Sequence, residues 1–150
     1  MSDQVWTDRQ FDEMSWHDNH VHAIRIVEGA DGAGDFILDI DHIVEWLDGP
    51  DRGFRFRILP AVLTFHGVMF LRASLDYATP TMAFGPFAIH DISRRMERRE
   101  TYSAQLWKIS LNWPVGEFTF EGAGFTQRAF GEPILSDRQC LSPELRSHGA

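Results

Sequence analysis

An all-β domain built from antiparallel strands is what this sequence predicts, on three observations. Apolar and polar residues alternate with a period of two through most of the chain, as in "DFILDIDHIVEW", Asp35 to Trp46. Turn-forming residues fall between the alternating runs and not inside them. Helical spacing is confined to the ends, where Thr7 to Gln10 forms a T-x-x-Q capping box ahead of Phe11 and Met14, enough for one or two turns. With 150 residues, 43% of them hydrophobic and 13% aromatic, the chain can bury a core as one domain, residues 1–150, ending in a polar C-terminal tail from about residue 136.

Strands are expected at residues 20–27, 35–47, 54–65, 68–76, 87–97, 104–113 and 117–125, with a further one at 128–134. That is an antiparallel meander of seven to eight strands. "GADGAG", Gly29 to Gly34, reads as a flexible hairpin loop, and "LDGPDRG", Leu47 to Gly53, carries Gly-Pro and Asp-Arg-Gly turn chemistry. His66 and Gly67 can close a two-residue hairpin, and "NWPVGE" sets Pro114 and Gly116 in a tight turn. In residues 87–100, Ile89, Ile92 and Met96 are also spaced as on a helix face. The β-branched residues and flanking breakers favour a strand there. "EGAGFTQ", Glu121 to Gln127, reads as a bulge or strand bend, and Ser136 to Gln139 repeats the capping pattern. The fold expected is a sandwich or a strongly curved sheet with a short N-terminal helix.

Composition narrows the setting. The single cysteine, Cys140, excludes an internal disulfide, and "MSDQVWTDRQFDEM" has neither the basic nor the apolar part of a leader, so a cytoplasmic location is expected. The longest clean apolar run is "VMFL", far short of the roughly 20 residues of a membrane span. The net charge of −8 is uneven: residues 1–51 carry thirteen carboxylates against Arg9 and Arg25, a balance of −11, while residues 52–150 carry +3. Acidic and basic strands could pair across one sheet, or a negative face could steer a basic protein partner. Nucleic acid is disfavoured as a partner, because "SRRMERRE" interleaves its arginines with glutamates and offers no aromatic stacking platform. Self-association as a homo-oligomer stays open.

The stretch "WHDNHVHAIRI", Trp16 to Ile26, holds three histidines and an aspartate within six positions. What they face depends on how the first strand pairs with the second. One register opposes Ile26 to Phe36, Ile24 to Leu38, His22 to Ile40 and His20 to His42, gathering the apolar side chains on one face. The alternative, slipped by one, sets His22 against Asp39 and His20 against Asp41 but mixes Ile24 and Ile26 with three aspartates. The first is favoured because a slip would carry the buried set to solvent. His20, His22 and His42 then converge near one end of the hairpin, with His17 or Asp18 close by, where a transition metal such as zinc could be held. The alternative without a cofactor has the imidazoles capping the sheet end through hydrogen bonds to Asp18, Asn19 or backbone carbonyls. "HVHAIRIVEG" also resembles the opening of the cupin motif, but five residues separate His22 from Glu28, a longer gap than that family uses, and "GPDRGFRFRILP" lacks the later histidine.

On the second strand Asp39, Asp41 and Glu45 fall opposite Phe36, Leu38, Ile40, Val44 and Trp46. The expectation is a solvated acidic face partly neutralised by Arg25, Arg55 or Arg57. Enzyme templates fail: there is no Gly-x-Ser-x-Gly elbow, phosphate-binding glycine loop or His-Glu-x-x-His, and Cys140 has no histidine near it in sequence. "WHDNHVHAIRI", "FILDIDHIVEW" and "AVLTFHGVMFLRASLD", in this order, resemble the small bacterial β-sheet proteins grouped with immunity proteins of polymorphic toxin systems. Those proteins open with a His-Asp strand start, as His17 and Asp18 do here. The resemblance covers the first half of the chain and implies no catalytic residue. Together these features lead to the expectation of a non-enzymatic protein-binding module that uses an acidic N-terminal face, Asp39, Asp41, Glu45 and Trp46, to meet a basic partner such as a toxin. A metal-binding protein is the alternative.

Overall fold

The computed structural model describes residues 3–49, 53–79 and 83–147. They form one antiparallel sheet that curves until its ends meet. Two three-stranded meanders make the wall: β2 (His20–Glu28), β3 (Gly34–Asp48) and β4 (Phe54–Asp76), then β5 (Phe87–Arg98), β6 (Ser103–Trp113) and β7 (Val115–Glu121). β4 pairs with β7 from Met69↔Glu121 to Asp76↔Val115. On the other side β2 meets β5 only at His20↔Ala88 and Val21↔Phe87. That short seam is lengthened by Asp18 N–H donating to Ile89 O at 2.7 Å and Ile89 N–H donating to Asn19 O at 2.9 Å.

β4 is the spine of the sheet. One of its edges carries β3, and the other carries β9 (Ile134–Ser136), β8 (Gly124–Ala129) and β7 in succession. β1 (Gln4–Thr7) lies along the far side of β8. No helix of the described residues is long and apolar enough to cross a membrane.

Several sequence expectations need correction. His66 and Gly67 do not close a hairpin, because β4 continues unbroken through them. His66 stays laddered to Gly124, and its carbonyl accepts from Ala123 N–H at 2.8 Å, so the strand keeps its partner while Gly67, at φ +62°, bends it. The expected strands 54–65 and 68–76 are therefore one. The N-terminal helical turn is a 3-10 turn, Asp8–Glu13, with Thr7 and Gln10 forming the capping box as anticipated, whereas the α-helix of the described residues, α1 (Pro143–Ser147), lies at the C-terminus. Ser136 to Gln139 starts no helix: Ser136 ends β9 and its hydroxyl accepts from Arg138 N–H at 3.0 Å.

Other expectations hold. Residues 87–98 are strand, Glu121 to Gln127 bends at Gly122 and Ala123 between β7 and β8, and Gly29 to Ala33 is a hairpin loop. In the turn Leu47 to Gly53, residues 50–52 lie outside the described residues, and Gly49 N–H donates to Gly53 O at 2.6 Å.

The alternation that predicts the strands also fills the core. Phe36, Leu38 and Ile40 of β3, Leu59, Leu63 and Phe65 of β4, and Ile89, Trp107, Ile109, Phe118 and Phe120 of β5 to β7 are buried together. Phe65 sits at its centre, its ring 5.2 Å from Trp107 and 4.9 Å from Phe120, both in edge-on contact. Trp16 enters the core from the segment before β2, its indole N–H donating to Gln127 Oε1 at 2.8 Å. A second, smaller cluster of Ile43, Phe56, Ile58 and Leu141 lies on the opposite face of β3 and β4. The segment expected to be a polar tail is thus laid against the sheet, with Leu141 buried.

Phe65→Ala is expected to lower unfolding free energy by about 3–5 kcal/mol in urea titrations, since the ring is wholly buried among aromatic neighbours. Ile26→Ala, at a position 74% exposed, should stay within about 0.5 kcal/mol of the parent.

Candidate functional site

The histidine stretch is organised by a bulge. From Ile24 to Glu28 the pairing is the favoured one, Ile26↔Phe36 and Ile24↔Leu38, but the register shifts between Val21 and Ala23, so Val21 meets Ile40 and His20 meets Asp41. The expected pairs His22–Ile40 and His20–His42 are therefore not formed. His22 is the extra residue, which a strict alternation cannot represent. Cross-strand partners share a face, so His20 lies on the side of Asp41, and His42, one position further along β3, lies on the other. The three imidazoles do not converge.

What gathers instead is a cluster around Asp41, whose side chain is wholly buried. Asp41 Oδ2 accepts from His22 Nε2–H at 2.7 Å and from Leu141 N–H at 2.8 Å, while Oδ1 accepts from the Arg146 guanidinium. Arg146 also pairs with Asp39, and Cys140 Sγ lies 3.8 Å from His22 Nε2. The cysteine thus has a histidine neighbour, supplied by the fold across 118 residues of sequence. Burial opposes charge on His22, yet the hydrogen bond to Asp41, the contact with Cys140 and the aspartate's charge outweigh it, and the imidazole pKa is raised to about 9. His22 is then a cation at neutral pH.

His42 has the opposite character. Burial alone lowers its pKa to about 4, and its Nδ1 accepts from Asn19 Nδ2 at 2.9 Å, as a neutral ring requires. Asn19 Oδ1 in turn accepts from Ile43 N–H at 3.2 Å, and Trp6 packs edge-on at 5.2 Å from the His42 ring. His20 is also lowered, first by burial, and donates from Nδ1 to Asp18 O at 3.1 Å. Asp18 has a positive φ of 65° and pins four segments. Its amide bonds to β5, its carboxylate accepts from Asn112 of β6 and from Gln139 Nε2 at 2.9 Å, and His17 Nε2 lies 3.5 Å away. His17 reaches outward to His90 O at 3.1 Å. His17 and Asp18 are occupied in holding the seam between β2 and β5.

Among the described residues the donors that lie within 4.8 Å of one another are His22, Asp41 and Cys140. A metal there would need His22 unprotonated and its Nε2 freed from Asp41, beside a guanidinium on the same carboxylate. The arrangement fits an ion-pair network better than a metal centre.

The acidic face is also redistributed. Asp41 is not solvated, Asp39 is held by Arg146, and a second register shift, between Ile43 and Glu45, turns Glu45 to the His42 side and Trp46 to the other. Glu45 pairs with Arg57 at 3.0 Å, as anticipated, and Trp46 stays 44% exposed against the edges of Phe54 and Phe56. Asn19 on His42 and the Asp18 carbonyl on His20 are partners the sequence suggested, whereas the roles of Arg146, Gln139 and Leu141 carried no signal there, because they depend on contacts with distant strands. Comparison of the chain with protein-family models, with curated protein sequences and with solved structures finds no match in any of the three.

Two histidines with opposed environments make stability depend on pH from both sides. His22, raised from 6.5 to about 9, contributes stability that is complete below pH 6.5 and lost as pH climbs through 9. His42, lowered to about 4, contributes stability that is complete above pH 6.5 and lost as pH falls through 4. Each contribution is on the order of 3 kcal/mol. Urea unfolding across pH should show a maximum near neutrality, and His22→Gln should flatten the alkaline limb alone. Removing one partner of the buried pair with Arg146→Met should cost about 3–5 kcal/mol, whereas Arg57→Ala, at a half-exposed pair, should cost less than about 1 kcal/mol.

Proposed function

We propose that this protein is a non-enzymatic binding module of the cytoplasm that takes a basic segment of another protein as an added strand along β2. The carrying observation is the state of that strand. Beyond Val21, among the described residues, β2 is laddered to β3 alone, and Ile24, Ile26 and Val27 are 42%, 74% and 42% exposed. An open strand edge with exposed β-branched side chains is the surface that β-augmentation uses: the main chain supplies affinity and the side chains specificity. The adjoining hairpin end carries Glu28, Asp31 and Asp35, which complements a basic partner and speeds encounter. Trp46 and Phe54, about half exposed and in contact with each other, supply a further aromatic anchor. The resemblance to immunity proteins points to a toxin as that partner.

The test is titration with a purified basic protein encoded next to this chain. Binding should weaken as salt is raised and be lost in Ile26→Lys at unchanged stability. A complex indifferent to both, or a dimer of this chain that Ile26→Lys dissolves, would replace this reading with another occupant of the edge. Stoichiometric zinc in the purified protein, lost in Cys140→Ser, would favour the metal-binding alternative.

A further inference from the structure

Away from β2, the outer face of β4 to β7 holds a concavity of about 710 Å³ whose lining is cationic although the chain as a whole carries −8. On this face the lining carries Arg72, Arg95, Arg99 and Lys108 beside the carboxylate of Glu121, whereas the Arg94 guanidinium turns to the inner side, 4.3 Å from the Phe11 ring. The register explains how they meet. Arg72 pairs with Thr119, Thr119 with Lys108, and Lys108 with Ser93, so one rung across four strands presents two cations and two hydroxyls on one face. The next rung runs Glu121, Leu106, Arg95.

Carboxylates steer these cations: Glu121 in the lining holds Arg99 at 2.8 Å, and outside it Glu97 holds Arg95 at 3.2 Å and Arg99 at 3.1 Å and Glu117 lies 3.5 Å from Lys108. Arg72 has no such partner among the described residues.

A second feature lies at the mouth of the same concavity. The pairing of β4 with β7 shifts register between Met69 and Arg72, and within that bulge Phe70 sits at φ 56°, a left-handed conformation that bulky residues rarely hold. The bulge sends Leu71 onto the core and leaves Phe70 70% exposed, beside the cations. Packing does not require an aromatic ring there, and glycine would suit the backbone better. Strained, exposed residues of this sort cluster at ligand sites.

The geometry points to a binding site for a small phosphate ester with a planar ring, a nucleoside diphosphate in chemical class. Its phosphates lie against Arg72 and Lys108 with Thr119 and Ser93 as hydroxyl donors, and its base stacks on Phe70. The volume falls within the roughly 300–1,000 Å³ of small-ligand sites. This site is independent of the β2 edge.

Calorimetric titration of the full chain with ADP, inorganic pyrophosphate and adenosine at fixed ionic strength tests it. ADP should bind saturably, pyrophosphate more weakly, and adenosine weakest of the three. Arg72→Gln combined with Lys108→Gln should weaken both phosphate ligands about tenfold or more. Phe70→Gly should weaken ADP about tenfold and leave pyrophosphate unchanged, with thermal unfolding confirming that the chain stays folded. Four results would each overturn the proposal: no saturable binding of ADP, ADP affinity unchanged in the double variant, ADP affinity unchanged in Phe70→Gly, or tighter binding of a single-stranded oligonucleotide than of ADP.

Discussion

The carboxylate of Asp41 is the point on which the rest of this structure leans. Taking an aspartate wholly out of water costs several kcal/mol unless cations and hydrogen bonds replace the lost solvent. Here His22, Arg146 and the Leu141 amide do so together. The partners come from β2 and from the C-terminal segment, so one buried charge ties the bulge in β2 to that segment and holds it on the sheet over the second apolar cluster. The pair His22 and Arg146 leaves the cluster positively charged around a single buried anion, with Asp39 balancing it at the margin. Charge neutralisation and packing are therefore one event at this place.

Curvature comes from departures from regular pairing. The shifts at His22, at Val44 and at Phe70 each add a residue to one strand, and each reverses which side chains face inward from there on. At His22 the shift moves a histidine to the aspartate. At Val44 it splits Glu45 from Asp41, and at Phe70 it turns an aromatic ring out to solvent. With Gly67 bending β4 between its pairings with β8 and β7, these irregularities let the two meanders close on each other, leaving the seam between β2 and β5 only two ladder pairs long. Among the described residues the short seam leaves most of β2 with an unshared edge. Asp18, with its contacts to Asn112, Gln139 and β5, is what keeps so short a seam shut.

Charge separation along the chain becomes charge separation in space, though not in the simplest way. The acidic first third contributes β2 and β3, yet two of its expected surface carboxylates are spent on Arg146. The basic remainder concentrates its cations on the outer face of β4 to β7, where cross-strand pairing stacks Arg72, Lys108 and Arg95 from three different strands. A chain with a net charge of −8 thus carries two faces of opposite sign.

Sequence by itself determined the class of fold, most strand positions, the Gly29 loop, the bend at Gly122 and the inward set Phe36, Leu38 and Ile40, because period-two alternation and backbone stereochemistry are local properties. It also marked His20, His22, His42, Asp39, Asp41 and Trp46 as residues of interest. Which of them meet was decided only in three dimensions. A bulge costs one residue and leaves no trace in composition, yet it exchanges the two faces of a strand, and Cys140 reaches His22, and Arg146 reaches Asp41, across more than a hundred residues. Burial of a charge, and hence the pKa of the groups that neutralise it, depends on everything packed around it, which no local pattern contains.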